Sequence, residues 1–221
     1  MKKKISIKNK NVKLYPTKII CLGKNYLNHI KEMKSQKPDS PVIFLKPISS
    51  IIYNKDKIII PRDATNPHYE VELVAVIGKK GKNISSDKTD EYISGYGIGL
   101  DITLRDFQSE AKKNGNPWGI CKGFDTSAPV SDFISSEKII DPHNLDIKLY
   151  KNKKLVQHDN TKNMIFKMDE IIEYISKFFT LYPGDLIFTG TPSGVGPIEN
   201  KDTLRAQLGD LITLENNVRI L

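Results

Sequence analysis

The stretch Tyr69-Glu70-Val71-Glu72-Leu73-Val74-Ala75-Val76-Ile77 carries most of the information about the fold. It opens with polar and apolar residues in strict alternation and then becomes continuously apolar. This pattern predicts a strand that is exposed at one end and buried at the other. Residues 95–102 form a second strand candidate, in which glycines at alternate positions permit close approach of another backbone. The two stretches together predict a sheet-based core.

Further strands are predicted on either side of this core. Residues 145–150 and 155–157 flank a polar turn and indicate a hairpin. Residues 211–214 are expected to pair with 218–221 across Asn216-Asn217, a dipeptide suited to a tight turn. Short apolar runs bounded by glycine or proline add strands at 19–22, 42–45 and 186–188.

Helices are predicted at three places. Between Ile165 and Phe179 apolar residues recur near helical spacing, so residues 164–179 are expected to form an amphipathic helix. Residues 25–33 and 106–113 indicate shorter helices. The fold class is therefore α+β and dominated by strands, closer to a folded sheet or β-roll than to alternating βαβ units.

The length of 221 residues favours one large domain. Residues 1–16 are rich in Lys and Asn and predict an N-terminal arm or strand ahead of a main domain at 17–221. Apolar runs are too short for a membrane span, and the basic start is not followed by the apolar segment of a secretory signal. A cytoplasmic location, with Cys21 and Cys121 as reduced thiols, is therefore expected.

The net charge of +8 raises the alternative of a basic nucleic-acid-binding protein. Only four of the 34 basic residues are arginine, although arginine is favoured for bidentate phosphate and guanine contacts. The lysines are also scattered along the whole chain. We therefore expect no nucleic-acid partner.

Three carboxylates provide a candidate metal site. Glu70 and Glu72 are two residues apart on one predicted strand, so their side chains point to the same face. Asp101 ends the glycine-rich strand, and three hard oxygen ligands suit Mg²⁺ or Mn²⁺. Taken alone, the Glu-Val-Glu pattern is more typical of the solvent-exposed face of a half-buried strand.

Other candidates surround these carboxylates in the sequence. Arg105 could pair bidentately with a substrate carboxylate, or with an acidic neighbour on its own helix. Lys122 lies among small and apolar residues, where a desolvated ammonium could stabilise an enolate, although most lysines are simply solvated. His29 and Glu32 are three apart on one helical face, as in a general base with its orienting carboxylate or in a surface ion pair.

Several segments, in this order, resemble the fumarylacetoacetate hydrolase family, and specifically its short, single-domain members. The resemblance covers nearly the whole chain from residue 19 onward. The segments are GKNYLNHIKEM, PVIFLKP, YEVELVAVIG, GYGIGLDITLRDFQ, PWGICKGFDTSAPV and LYPGDLIFTGTPSGVGP.

The resemblance implies a mixed β-sandwich roll, a homodimer and a Mg²⁺ ion, with Mn²⁺ as an alternative. The roles that it implies are as follows: Glu70, Glu72 and Asp101 as metal ligands; His29, Glu32 and Lys122 as catalytic residues; Arg105, Gln108 and Thr191 as substrate-binding residues.

The resemblance to this family implies hydrolysis of acylpyruvates to pyruvate and a carboxylate. The same enolate-stabilising site could instead decarboxylate oxaloacetate or interconvert its keto and enol forms. The short chain carries no counterpart of the N-terminal domain of the larger family members, which argues against fumarylacetoacetate as substrate.

Overall fold

The computed structural model describes residues 3–8 and 12–221. Its helices are α1 (Leu27–Glu32), α2 (Arg105–Asn114), α3 (Gly119–Gly123) and α4 (Met168–Phe178), with 3-10 turns at Ile48–Ser50, Ser86–Tyr92, Ser136–Lys138 and Thr161–Asn163. Its strands are β1 (Ile5–Ser6), β2 (Lys13–Leu14), β3 (Ile19–Gly23), β4 (Val42–Lys46), β5 (Ile51–Ile52), β6 (Lys57–Ile60), β7 (Pro67–Tyr69), β8 (Val71–Ile77), β9 (Ile93–Leu100), β10 (Thr103–Leu104), β11 (Ala128–Pro129), β12 (Ile134–Ser135), β13 (Asp146–Lys151), β14 (Lys154–Asn160), β15 (Leu186–Phe188), β16 (Gly196–Pro197), β17 (Thr203–Leu208) and β18 (Ile212–Ile220). The predicted strand-dominated α+β class is confirmed.

Two large sheets form the body of the protein. One has six strands in the order β12-β9-β8-β15-β3-β4, and the other has five in the order β14-β13-β17-β18-β6. Both are mixed, because β15 pairs parallel to β3 and β18 parallel to β6 while their other neighbours run antiparallel. Strands β13, β17 and β18 contact β8 and β9, so the two sheets pack as the expected sandwich.

Strand β8 is buried on both faces. Leu73 and Ala75 join the larger core cluster, whereas Val74 and Val76 join a second cluster that also contains Phe133. The expectation that this strand is exposed at one end is wrong, since every residue of β8 is buried. A buried strand of this kind is apolar on both faces, which explains the continuous apolar run.

The N-terminal segment contributes to that second cluster. Strands β1 and β2 pair antiparallel, and Ile5 and Leu14 are buried with Phe133. Of the predicted arm, residues 1–2 and 9–11 lie outside the described residues. Within the described part of the chain, no helix is long and apolar enough to cross a membrane.

The predicted hairpin over residues 145–157 is confirmed as β13 and β14, but the one across Asn216-Asn217 is wrong. Strand β18 runs straight through this position. The Asn216 side chain is fully buried and donates to the backbone oxygens of Tyr53 and Asp56, at 2.8 and 2.9 Å. The tight turn lies earlier, between β17 and β18, where Gly209 adopts φ +47°.

The amphipathic helix is confirmed in type but starts later than predicted. Helix α4 begins at Met168, because the preceding residues form a 3-10 turn, a single β-bridge at Met164 and a bend at residues 165–166. The Asn25 side chain accepts a hydrogen bond from Phe166 N at 2.8 Å and donates to Phe166 O at 3.1 Å. A buried side chain thereby holds this segment outside the helix.

Strand β9 shows why its glycines matter. A Cβ atom at Gly95 would lie 2.4 Å from the backbone oxygen of Ile134 in the neighbouring strand β12. At Gly99 a Cβ would lie 2.8 Å from both Phe188 and Val74. The expected close approach of another backbone is therefore observed at Gly95.

We expect Gly95→Ala to destabilise the protein by about 1–3 kcal/mol, because the added methyl group must push apart two backbones. Gly119→Ala is the matched control, since a Cβ there meets nothing within 4 Å. Urea unfolding of both variants measures the difference. Equal stability of the two variants would contradict the packing described for β9.

Candidate active site and metal centre

Three buried carboxylates converge where β8 and β9 meet. Glu70 lies in the break between β7 and β8, Glu72 lies within β8, and Asp101 directly follows β9. Antiparallel pairing sets Val71 opposite Leu100, and Asp101 N donates to Glu70 O at 2.8 Å. Carboxylate oxygens of the three residues lie within 4.8 Å of one another.

The burial of these residues decides between the two interpretations of the Glu-Val-Glu pattern. Glu70, Glu72 and Asp101 are 5%, 1% and 0% exposed. A solvent-exposed strand face is therefore excluded. Isolated buried carboxylates are costly, so this cluster requires compensating positive charge.

Three cationic side chains provide that charge. Lys122 Nζ donates to Glu70 Oε2 at 2.7 Å, to Asp101 Oδ2 at 2.6 Å and to Thr103 Oγ1 at 2.6 Å. Arg105 pairs with Glu70 through its Nη2 atom. Lys46 Nζ lies 2.8 Å from Asp101 Oδ1.

Lys46 was missed by the sequence reasoning. It is 1% exposed, and its ammonium also donates to the backbone oxygens of Lys122 and Ser127. These contacts fix the backbone that carries Lys122. The available signal was a lysine that ends an apolar strand, directly before Pro47, although many solvated lysines occupy similar positions.

The cluster separates the proton affinities of its two glutamates. Burial alone would raise the pKa of Glu70, but Lys122 and Arg105 outweigh burial and hold that pKa well below its ordinary value. Burial, reinforced by Asp101 and Glu70, raises the pKa of Glu72 well above its ordinary value. Of the two glutamates, Glu72 is thus the one whose protonated form the surroundings favour.

The donor set fits a hard divalent cation. All three side chains offer carboxylate oxygens, which Mg²⁺ and Mn²⁺ prefer. Asp101 Oδ1 is buried and accepts no well-directed hydrogen bond from the described residues, although Lys46 Nζ is close. An under-satisfied carboxylate oxygen in such a cluster is suited to a metal ion.

The Thr189-Gly190-Thr191 segment closes one side of the site. Gly190 adopts φ +93°, and its N–H donates to Glu72 Oε2 at 2.7 Å. Thr191 is 3% exposed, and its Oγ1 accepts from Gln157 Nε2 at 2.9 Å. Gln157, which the sequence reasoning also missed, holds the threonine in place from the other sheet.

The His29–Glu32 pair lies on α1 as predicted. His29 Nδ1 is 3.2 Å from Glu32 Oε2, and Gly194 N donates to both Glu32 oxygens at 3.0 and 3.2 Å. His29 is only 8% exposed and lines the cavity above the carboxylates. The pair thus joins a buried histidine at the cavity to an exposed glutamate, which differs from an ion pair between two surface side chains.

A cavity of about 450 Å³ opens over the carboxylates. Asp101 lies beneath its floor, and Glu32 contacts His29 without itself lining the cavity. On α2, Arg105 Nη1 donates to Gln108 Oε1 at 2.7 Å, so both side chains face the same space. The predicted site residues that line the cavity are His29, Glu70, Glu72, Arg105, Gln108, Lys122 and Thr191.

Comparison with known proteins agrees with this geometry. Residues 18–219 match the family described as fumarylacetoacetate (FAA) hydrolase C-terminal. An uncharacterized protein of Pyrococcus abyssi is 49% identical over 203 residues, which are 92% of this chain and 90% of the relative. The oxaloacetate tautomerase FAHD1 of Mus musculus is 43% identical over 201 residues, 91% of each chain.

A solved structure is similar over the whole chain. Fumarylpyruvate hydrolase from Pseudomonas aeruginosa, in complex with Mn²⁺ and pyruvate, superimposes with a TM-score of 0.95 at 32% identity. The match covers 100% of this chain and 97% of that one. The mixed sandwich with its buried acidic centre is thus the fold of an enzyme class that includes tautomerases and hydrolases of small keto acids. The chain belongs to the fumarylacetoacetate hydrolase family.

We expect Glu72→Gln to abolish metal binding without lowering the stability of the metal-free protein. Because the folded protein favours protonated Glu72, ionisation of this group opposes folding as pH rises above the ordinary glutamate range, and Gln removes that cost. The metal-free variant should be at least as stable as wild type at neutral pH, yet lose the rise in Tm that Mg²⁺ or Mn²⁺ produces. Thermal unfolding with metal and with chelator measures both effects.

Glu110→Gln, an exposed change on α2, is the control and should keep the full metal-dependent rise. A wild-type rise in Glu72→Gln would remove Glu72 from the metal site.

Proposed function

We propose that the protein is a metal-dependent enzyme that forms the enolate of a 2-keto acid, and that its main reaction is keto–enol tautomerisation of oxaloacetate. The ion would be held by Glu70, Glu72 and Asp101, with Mg²⁺ as the proposed metal and Mn²⁺ as the alternative. The observation that carries the proposal is the buried Lys122 ammonium, bonded to Glu70 and Asp101 at the cavity floor. A preorganised cation of this kind stabilises negative charge that develops during reaction.

The charge of the site supports a dianionic substrate. Three carboxylates face three cations, Lys46, Arg105 and Lys122, so the charged groups of the metal-free cluster balance when all are ionised. A bound divalent cation would polarise the 2-keto group and add two positive charges. Oxaloacetate carries two negative charges at neutral pH, whereas acetylpyruvate has a neutral acyl end.

In the proposed mechanism, side chains of the cavity carry out the remaining steps. Arg105 and Thr191 orient the 2-keto carboxylate, and Lys122 stabilises the oxyanion at C2 as the C3–H bond breaks. His29, held by Glu32, takes the C3 proton and passes it to the C2 oxygen, which completes the enol. Atoms balance without another reactant, since tautomerisation only moves a proton between carbon and oxygen.

The similarity to oxaloacetate tautomerase FAHD1 across most of the chain favours tautomerisation over acylpyruvate hydrolysis, the reaction expected from the sequence alone. The homodimer and the cytoplasmic location implied by the sequence stay predictions.

We expect metal-loaded protein to accelerate conversion between enol- and keto-oxaloacetate, and chelator to abolish the effect. Lys122→Met should lower kcat on the order of 100-fold or more, because a neutral side chain cannot stabilise the developing oxyanion. Ultraviolet absorbance of the enol follows the reaction. The variant must retain its metal-dependent rise in Tm, which shows that the site has kept its fold. Near-normal turnover in that folded variant would overturn the assigned role.

Acylpyruvate hydrolysis is the second candidate, and the His29–Glu32 pair supports it as well as tautomerisation. A histidine oriented by a carboxylate 3.2 Å away can deprotonate water for attack on the distal carbonyl. Cleavage of the carbon–carbon bond then leaves pyruvate enolate, which uses the same Lys122 contact. Loss of CO₂ from oxaloacetate needs no such base.

His29→Ala should therefore reduce acetylpyruvate cleavage and oxaloacetate tautomerisation by roughly 100-fold, while decarboxylation changes much less. All three reactions are to be measured on one preparation with saturating Mg²⁺. Asn28→Ala, an exposed neighbour on α1, is the control. An equal loss in all three would mean that His29 orders the site and does not act as a base.

A further inference from the structure

The outer part of the cavity contains lysines that none of the steps above uses. Lys24, Lys34 and Lys112 line its mouth, while the carboxylates that line it, Glu70 and Glu72, belong to the floor. Among the described residues, none of the three lysines has a carboxylate within ion-pair distance. The mouth is therefore a cationic region without a counter-ion from the chain.

Lys112 is held in this region by an aromatic side chain. Its Nζ lies 5.3 Å from the centroid of the Trp118 ring, which also lines the cavity. A cation over an aromatic face is attracted to it, so the ring restrains the ammonium without neutralising it. Partial burial, together with Arg105 and Lys24, lowers the pKa of Lys112. These groups thus lie close enough to repel one another.

Lys24 reaches the mouth through an unusual backbone conformation. It follows β3 and has φ +61°, in the left-handed region that side chains other than Gly, Asn and Asp rarely adopt. Such strain persists where the surrounding structure enforces it, and it clusters at functional sites. Here it directs a lysine toward the cavity that holds the carboxylate cluster.

We propose that Lys24 and Lys112 form an outer carboxylate subsite, which binds the second carboxylate of a 2-keto dicarboxylic acid whose keto-acid end lies at the metal. This inference rests on the proposed function and adds the residues that select its substrate. Oxaloacetate and longer acylpyruvates with a terminal carboxylate are the substrate class, and monocarboxylic acylpyruvates bind more weakly. Lys34 lines the same mouth and, like Lys112, is exposed, but among the described residues no aromatic ring restrains it, so it contributes less.

The test compares two unreactive ligands of equal chain length. The five-carbon acids 2-oxoglutarate and 2-oxovalerate differ at the distal end, which is a carboxylate in the first and a methyl group in the second. Isothermal titration of the Mg²⁺-loaded protein should show about tenfold or more preference for 2-oxoglutarate, and added salt should reduce it. In the Lys24→Met, Lys112→Met double variant the preference should disappear, while 2-oxovalerate binds as before.

Lys113→Met, an exposed change next to Lys112, is the matched control, and Lys112→Arg should restore much of the preference. A preference that survives in the double variant, or that is absent from wild type, overturns the subsite. If neither acid binds the metal-loaded protein, the subsite and the proposed function are both overturned. If the preference follows the lysines but oxaloacetate is not converted, the subsite stands and the proposed reaction is wrong.

Discussion

The structure depends on one buried cluster of opposite charges, in which Lys122 is bonded to Glu70 and Asp101. Each of these groups would be costly to bury alone, because an unpaired charge loses its hydration. Together they satisfy one another at 2.6–2.7 Å. Removing either partner leaves the other uncompensated, so the cluster constrains the strands and helix that supply it.

The fold supplies these groups by strand register and short connections. The pairing of β8 with β9 brings Asp101 beside Glu70, although the two are 31 positions apart in sequence. Lys46 then fixes the backbone of Lys122 from the end of β4. The glycines of β9 help to position these groups as well. Strand β12 and Phe188 pack so closely on β9 that a side chain at Gly95 or Gly99 would not fit. The close packing around β9 and the ion pairs of the cluster therefore act at the same place in the fold.

Much of this was predictable from the sequence, for physical reasons that particular residues illustrate. The apolar run after Glu72 predicted a buried strand, and the spacing of His29 and Glu32 predicted their contact. The hydrogen-bond partners of buried polar side chains were not predictable. Asn216 resembled a turn residue but lies within β18, where its side chain donates to the backbone of the turn between β5 and β6, and Lys46 resembled an ordinary surface lysine. In each case a partner distant in the sequence decides the role, and local periodicity carries no information about it.

Crystallography on Mn²⁺-soaked protein is the decisive test of whether this charge cluster is a metal centre. Anomalous difference maps locate Mn²⁺ independently of any assumption about ligands. One strong peak is expected at about 2.0–2.2 Å, the range for small hard divalent cations, from oxygens of Glu70, Glu72 and Asp101. A fully occupied peak elsewhere, with Lys122 still bonded to two carboxylates and no peak among the three, would contradict a metal centre at this cluster.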